Sequence, residues 1–210
     1  MSLSYIIGVL AALFTVPAVA QSPSGAVFGI VAAESTIHVG VFREGLLKAF
    51  GHDHLIAAKS FTGTVHFNAD KVEESSLALN IEANSLTVLD PGEAEKDRRD
   101  VQATMVGAQV LGVESFPRIT FQSTAVHLIK KAGAEWEVTL AGKLNLHGVE
   151  KPISFPVHIR LDNTRLTVHG EVSIVQTDFG IKLVKVAGGT VRVTDRVKVS
   201  FTIVAEINKS

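Results

Sequence analysis

Eight histidines in a chain of 210 residues give the first place to look for chemistry. His52 and His54 stand two apart, so on a strand their imidazoles share a face and Asp53 points the other way. Two imidazoles on one face can chelate Zn²⁺ or Cu²⁺ when a third ligand joins them, from His147 or a carboxylate. The alternative is a polar pair hydrogen-bonded to backbone at the end of a strand. No third ligand stands at a fixed spacing, so the sequence assigns no metal, and His52 and His54 stay as candidates only. Asp53 beside either ring can orient a general base, yet no partner nucleophile is evident. His147 precedes Gly148 and reads as a brace for a turn. His38, His66, His127, His158 and His169 are scattered along strand-like segments and receive no role.

Other chemistry is missing. There is no cysteine, hence no disulfide, thiolate metal site or cysteine nucleophile. The G-x-S-x-G elbow, the P-loop, the H-E-x-x-H pair and the dinucleotide fingerprint are all absent. The sequence therefore predicts a non-enzyme with no cofactor. A net charge of −1 argues against a nucleic-acid partner, which needs a strongly basic face. With 46% hydrophobic and 20% charged residues the chain can bury a core.

The elements that would carry any site alternate with period two. Trp136, Val138, Leu140, Gly142, Leu144 and Leu146 share one face, opposite Glu135, Glu137, Thr139 and Lys143. The same pattern runs through Ile37–Val41, Phe61–Phe67, Leu77–Ala83, Ile153–Leu161, Leu166–Ile174 and Val197–Ile207. The connections are short and built of turn residues: 131–133, 147–152, 162–164 and Gly188-Gly189. Half-buried strands of about ten residues joined this way predict an all-β fold, an up-and-down antiparallel barrel of about eight strands. One helical insertion interrupts it, over about 91–110. Asp90 is its expected N-cap, Pro91 its first residue, and Glu93 completes the cap. Glu95 can pair with Arg98 and Arg99, and Val101, Met105 and Ala108 form its apolar stripe. A shorter helical turn is expected over 44–50.

Strand parity nominates the residues that face the lumen. They are Val39, Phe61, Val65, Leu79, Ile81, Phe121, Leu144, Leu146, Phe155, Val157, Val172 and Phe201. Gly63, Gly142 and Gly170 fall on the same faces. There they either spare volume for a channel or mark bends in the strands. A barrel of this size can fill its interior or leave room for one ligand. Each CH₂ moved from water into such a lumen gains about 0.8 kcal/mol.

At the N-terminus, Leu3–Ala20 is uncharged and mostly apolar, with a core from Tyr5 to Phe14, a breaker at Pro17 and the small pattern Ala18-Val19-Ala20. That reads as a secretory signal over residues 1–20, cleaved before Gln21, and predicts a periplasmic or secreted protein. A retained anchor is the alternative; once the signal is cleaved no membrane span is expected.

Several motifs resemble the YceI-like family. The segment from Gly112 to Thr124, centred on Phe116-Pro117-Arg118-Ile119-Thr120-Phe121-Gln122-Ser123, resembles its aromatic-Pro-x-Ile-x-Phe-x-Ser signature. Gly142-Lys143-Leu144-Asn145-Leu146-His147-Gly148-Val149 with Pro152-Ile153 resembles its G-x-L-x-x-H-G hairpin. Thr177-Asp178-Phe179-Gly180-Ile181 resembles its D-F-G stretch, with Gln176 near the place where the family carries Arg, and Phe61-Thr62-Gly63-Thr64-Val65 fits an early strand. The likeness covers about 26–207. It implies a lipocalin-like barrel that holds an apolar amphiphile, of polyisoprenoid or fatty-acyl type, in its lumen. Family members often pair, which adds a second copy of the chain as a candidate partner.

Overall fold

The computed structural model describes residues 25–44, 53–186 and 191–208. The expected signal over 1–20, His52, the helical turn over 44–50 (Glu44 apart) and Gly188-Gly189 lie outside them. The main chain forms β1 (Ala26–Ile30), β2 (Thr36–Val41), β3 (Arg43–Glu44), β4 (His54–Ala58), β5 (Phe61–Phe67), β6 (Ser76–Glu82) and β7 (Leu86–Val88). The one α-helix among the described residues, α1 (Glu95–Val106), follows. Then come β8 (Arg118–Ala132), β9 (Glu135–Leu146), β10 (Val149–Asp162), β11 (Arg165–Val175), β12 (Lys185–Val186), β13 (Val191–Val193) and β14 (Arg196–Ile207).

The strand order β1-β5-β6-β8-β9-β10-β11-β14, closed by pairing of β14 with β1, is an eight-stranded antiparallel barrel. The long pairs β8–β9, β9–β10 and β10–β11 are hairpins whose turn chemistry fixes their register. Ala132 pairs with Glu135 around Gly133, Leu146 with Val149 around His147-Gly148, and Asp162 with Arg165 around Asn163-Thr164. His147 and Gly148 both have positive φ, 52° and 74°, which is what a two-residue hairpin twisting with its strands requires. The turn is thus only two residues long, and Val149–Pro152 already belongs to β10.

The first three walls are each broken in the middle. A 3-10 turn at Ala32–Glu34 separates β1 from β2, Lys59-Ser60 separates β4 from β5, and a 3-10 turn at Ala83–Ser85 separates β6 from β7. Both halves stay paired: β1 with β5 and β2 with β4, then β5 with β6 and β4 with β7. Serine hydroxyls take up the backbone groups that the breaks release. The Ser35 hydroxyl accepts from the Val204 N–H at 2.9 Å and donates to the Val31 carbonyl at 2.8 Å. The Ser85 hydroxyl accepts from the Ser60 N–H at 3.0 Å.

Beyond the last break the ring parts. β6 pairs with β8 from Ala78–Gln122 to Glu82–Arg118, but among the described residues β7 has no strand on its outer edge. Pro117, with no N–H to give, sits where that ladder ends. The helix fills the gap, and one side chain stands in for the missing strand. The Gln102 amide accepts from the Val88 N–H at 2.9 Å and donates to the Leu86 carbonyl at 2.8 Å.

The helix starts later than local rules predict. Asp90 does not cap it; the residue before it is Ala94, which offers no side-chain cap. Its surface pairs are the expected Glu95–Arg99 and, in addition, Lys96–Asp100. Val101 and Met105 face inward as expected, while Ala108 lies beyond the helix end.

The outer wall is polar, with ion pairs such as Lys143–Glu150 at 2.9 Å and Lys198–Glu171 at 2.8 Å lying across neighbouring strands. The interior is apolar. This is the reverse of a membrane-spanning barrel, whose outward face is a greasy band. No helix among the described residues is long and apolar enough to cross a membrane.

Candidate functional site: a blind apolar cavity

The two ends of the barrel differ. At the end holding the β8–β9 turn, Phe28, Phe67, Trp136, Val138, Leu166 and Ala205 pack into a solid plug. Phe67 meets Trp136 edge to face at 5.0 Å, and Val138, Leu166 and Ala205 are fully shielded from solvent. Above the plug three phenylalanines cross the lumen. Phe121 lies 5.7 Å from Phe155, and Phe155 lies 5.9 Å from Phe201. Above these rings the barrel is hollow. The cavity measures about 520 Å³, within the range of small-molecule sites.

The strands bring nearly all the parity-nominated residues to this space. Val39 comes from β2, Val65 from β5, Leu79 and Ile81 from β6, and Phe121 from β8. Leu144 and Leu146 come from β9, Phe155 and Val157 from β10, Val172 from β11 and Phe201 from β14. Phe61 does not reach it. Its ring is 4% exposed and sits in the cluster of Ile56, Ala58, Leu86 and Met105, beside the break at Lys59-Ser60. The lining is wider than the nominated set. Ile37, Val41, Ile56, Leu140, Val199 and Ile203 share the inward parity and belong to it. Val101 and Met105 of α1, and Leu111 and Ile181 of the loops, could not be reached by strand parity at all.

The lumen glycines do not enlarge the cavity. A Cβ on Gly142 would lie 2.4 Å from the Phe121 ring, and one on Gly170 would lie 2.4 Å from the Phe201 ring. Each glycine is the bare patch of wall against which a floor ring lies flat. On Gly63 the same space is taken by Ile30 at 2.6 Å.

Polar groups gather at the mouth, where Arg43, His54, Asp100, Thr104, Gln176 and Arg192 join the lining. His54 opens β4 opposite Val41, so both point inward. Its orienting carboxylate is Asp90, thirty-six residues away, not Asp53: His54 Nδ1 donates to Asp90 Oδ2 at 2.6 Å. Asp90 Oδ1 accepts the Leu55 N–H at 2.7 Å. Asp53 instead accepts the Arg43 N–H at 3.2 Å, with Arg43 Nε at 4.0 Å. Gln176, the departure from the family's Arg, has a partner in the Thr194 carbonyl at 2.9 Å. Next to it, Asp195 accepts from the Thr177 hydroxyl at 2.6 Å and the Thr177 N–H at 2.9 Å. Those donors, the hydroxyl first, hold the Asp195 carboxyl below its ordinary value of 3.8.

Among the described residues no group of three histidine, aspartate or glutamate side chains is arranged to hold a metal ion. His147 supplies no third ligand. It braces its turn, with Nδ1 3.1 Å from the Phe179 carbonyl and its ring on Phe116 at 4.6 Å. Among the described residues the hydrogen-bond partner of the His54 ring is Asp90, not a serine or threonine hydroxyl.

Known proteins share this architecture. A Burkholderia cenocepacia protein, BcnA, superposes with a TM-score of 0.65 at 20% identity, over 83% of this chain and 98% of its own. A polyisoprenoid-binding domain from Saccharophagus degradans superposes with a TM-score of 0.62 at 16% identity, over 88% of this chain and 100% of its own. At those identities the likeness is one of fold. In sequence, Protein YceI of Salmonella arizonae is 38% identical over 96 residues, 46% of this chain, so the match spans 44% of that relative's length. Protein YceI of Salmonella newport matches to the same extent. The YceI-like domain model matches residues 29–205. The hollow eight-stranded meander and that match together place the chain in the YceI-like domain family.

Proposed function

We propose that the protein binds, sequesters or carries a long apolar amphiphile, of polyisoprenoid or fatty-acyl type, without catalysing any reaction on it. The observation that carries this is the cavity of about 520 Å³, walled by aliphatic and aromatic side chains, shut at one end and polar only at its mouth. A hydrocarbon tail gains about 0.8 kcal/mol per methylene on entering such a space, so a modest chain outweighs the cost of association. The polyisoprenoid-binding domain of the same fold supports the ligand class. We further propose that the protein acts outside the cytoplasm, after the hydrophobic segment ending at Ala20 is removed, and that it can pair with a second copy of itself.

The test is native mass spectrometry of the protein recovered from its host's envelope fraction, with mass analysis of an organic extract. The expected result is a chain beginning at Gln21 that carries a long-chain lipid in near-stoichiometric amount. A chain that returns empty, and afterwards takes up neither prenyl nor fatty-acyl fluorescent probes, overturns the binding proposal.

A further inference from the structure

The mouth of the cavity contains a polar device that holding a tail does not require. His54 points inward, and its Nδ1 is committed to a carboxylate that is itself 3% exposed. Both oxygens of Asp90 accept, one from the ring and one from the Leu55 N–H, so the ring proton resides on Nδ1. In the neutral ring Nε2 is then the remaining polar atom, and there it carries a lone pair. Asp90 reaches this position with φ of 22°, a backbone conformation unfavourable for a residue with a Cβ. Strain of this kind is retained where the placement of the side chain matters.

The charges around the mouth narrow the choice of head group. Arg43 faces Asp53, Asp100 pairs with Lys96 at 2.9 Å, and Arg192 has an interaction of its own. The charged groups among the described lining residues are Arg43, Arg192 and Asp100, and each already has an interaction within the chain. An anionic head would have to draw Arg43 or Arg192 away from the interaction it already makes, with Asp100 also lining the mouth. An uncharged head with a donor to give would find an acceptor in place.

We infer that Nε2 of His54, held by Asp90, accepts a hydrogen bond from a hydroxyl on the polar end of the bound amphiphile, so that the site selects long-chain alcohols over the corresponding phosphates and hydrocarbons. This rests on the apolar-ligand reading above. His54 is a specificity-determining residue, and Asp90 is its positioning residue.

The experiment compares three probes on the delipidated protein at neutral pH: a prenyl alcohol, its monophosphate and the hydrocarbon of the same skeleton. The alcohol should bind about tenfold tighter than either of the others, the value of one well-made hydrogen bond. His54→Leu should bring that advantage to within about twofold. His54→Gln, whose Oε1 falls near the place of Nε2, should restore most of it and guards against a variant that merely misfolds. Asp90→Asn should lower it in part, because the ring is then free to change tautomer. A phosphate that binds as well as the alcohol, or an undiminished preference in a folded His54→Leu protein, overturns the inference. If all three probes bind alike, head-group selection fails and the apolar-ligand reading stands. If none binds, both fail.

Discussion

Gly142 and Phe121 show how much at this site depends on single atoms. The glycine's missing side chain is the seat of the ring, with the Gln122 carbonyl 2.5 Å from where a Cβ would be. We expect Gly142→Ala to destabilise the protein by about 1–3 kcal/mol, since neither backbone nor a packed ring can retreat cheaply. Denaturant unfolding measures it, and pairing it with Phe121→Ala in a double-mutant cycle should recover part of the loss. Equal stability of Gly142→Ala and wild type would mean the ring does not lie there. Asp195 offers a second test at this scale. Its folded carboxyl is held below the unfolded value by the Thr177 hydroxyl and N–H, so its contribution to stability is fully present above pH about 4 and is lost as pH falls through the depressed folded pKa. Carboxyl titration by NMR should show Asp195 below the ordinary range, and returning toward it in Thr177→Val. Asp90 marks a limit of local reading. Asp-Pro before a charged run fits a helix cap, yet the carboxylate serves a strand thirty-six residues upstream, because closing the barrel brings β4 within reach. Nothing in a window of a few residues announces such a contact.

At the level of elements, the long strands were readable because their alternation is unbroken. β9, β10, β11 and β14 run 12, 14, 11 and 12 residues, and each keeps one parity of residue facing inward. The first three walls were harder, since each break resets the pattern. Phe61, next to one of them, faces inward yet is covered by neighbours before it reaches the cavity. The role of Gln102 was not legible at all: a polar residue on a charged helix gives no sign that it completes a strand. Replacing it with leucine leaves the Val88 N–H and the Leu86 carbonyl unpaired and takes a pin out of α1. We expect the Val88 amide to exchange its hydrogen about tenfold faster or more in Gln102→Leu, with a bound probe dissociating faster as well. Unchanged exchange would show that α1 is held by its apolar face alone.

For the whole molecule, composition and periodicity were enough for a closed meander, because a chain of one-sided strands has few other ways to hide its edges. Whether its interior was empty could not be deduced so simply, since a plugged half and a hollow half use the same residue types. Leu166 is fully buried, while Val172 on the same strand and Phe155 on the neighbouring one line open space. The difference lies in what crosses from the opposite wall, a matter of three-dimensional packing rather than pattern. Because the lower half is filled by Trp136 and its neighbours and roofed by Phe121, Phe155 and Phe201, the molecule is a cup and not a pipe. Under the carrier function proposed above, cargo leaves by the way it came, tail last. Delivery between two surfaces therefore requires the whole barrel to turn round, and a bound chain too long for the cup leaves its surplus trailing in water, so the depth of the floor acts as a ruler.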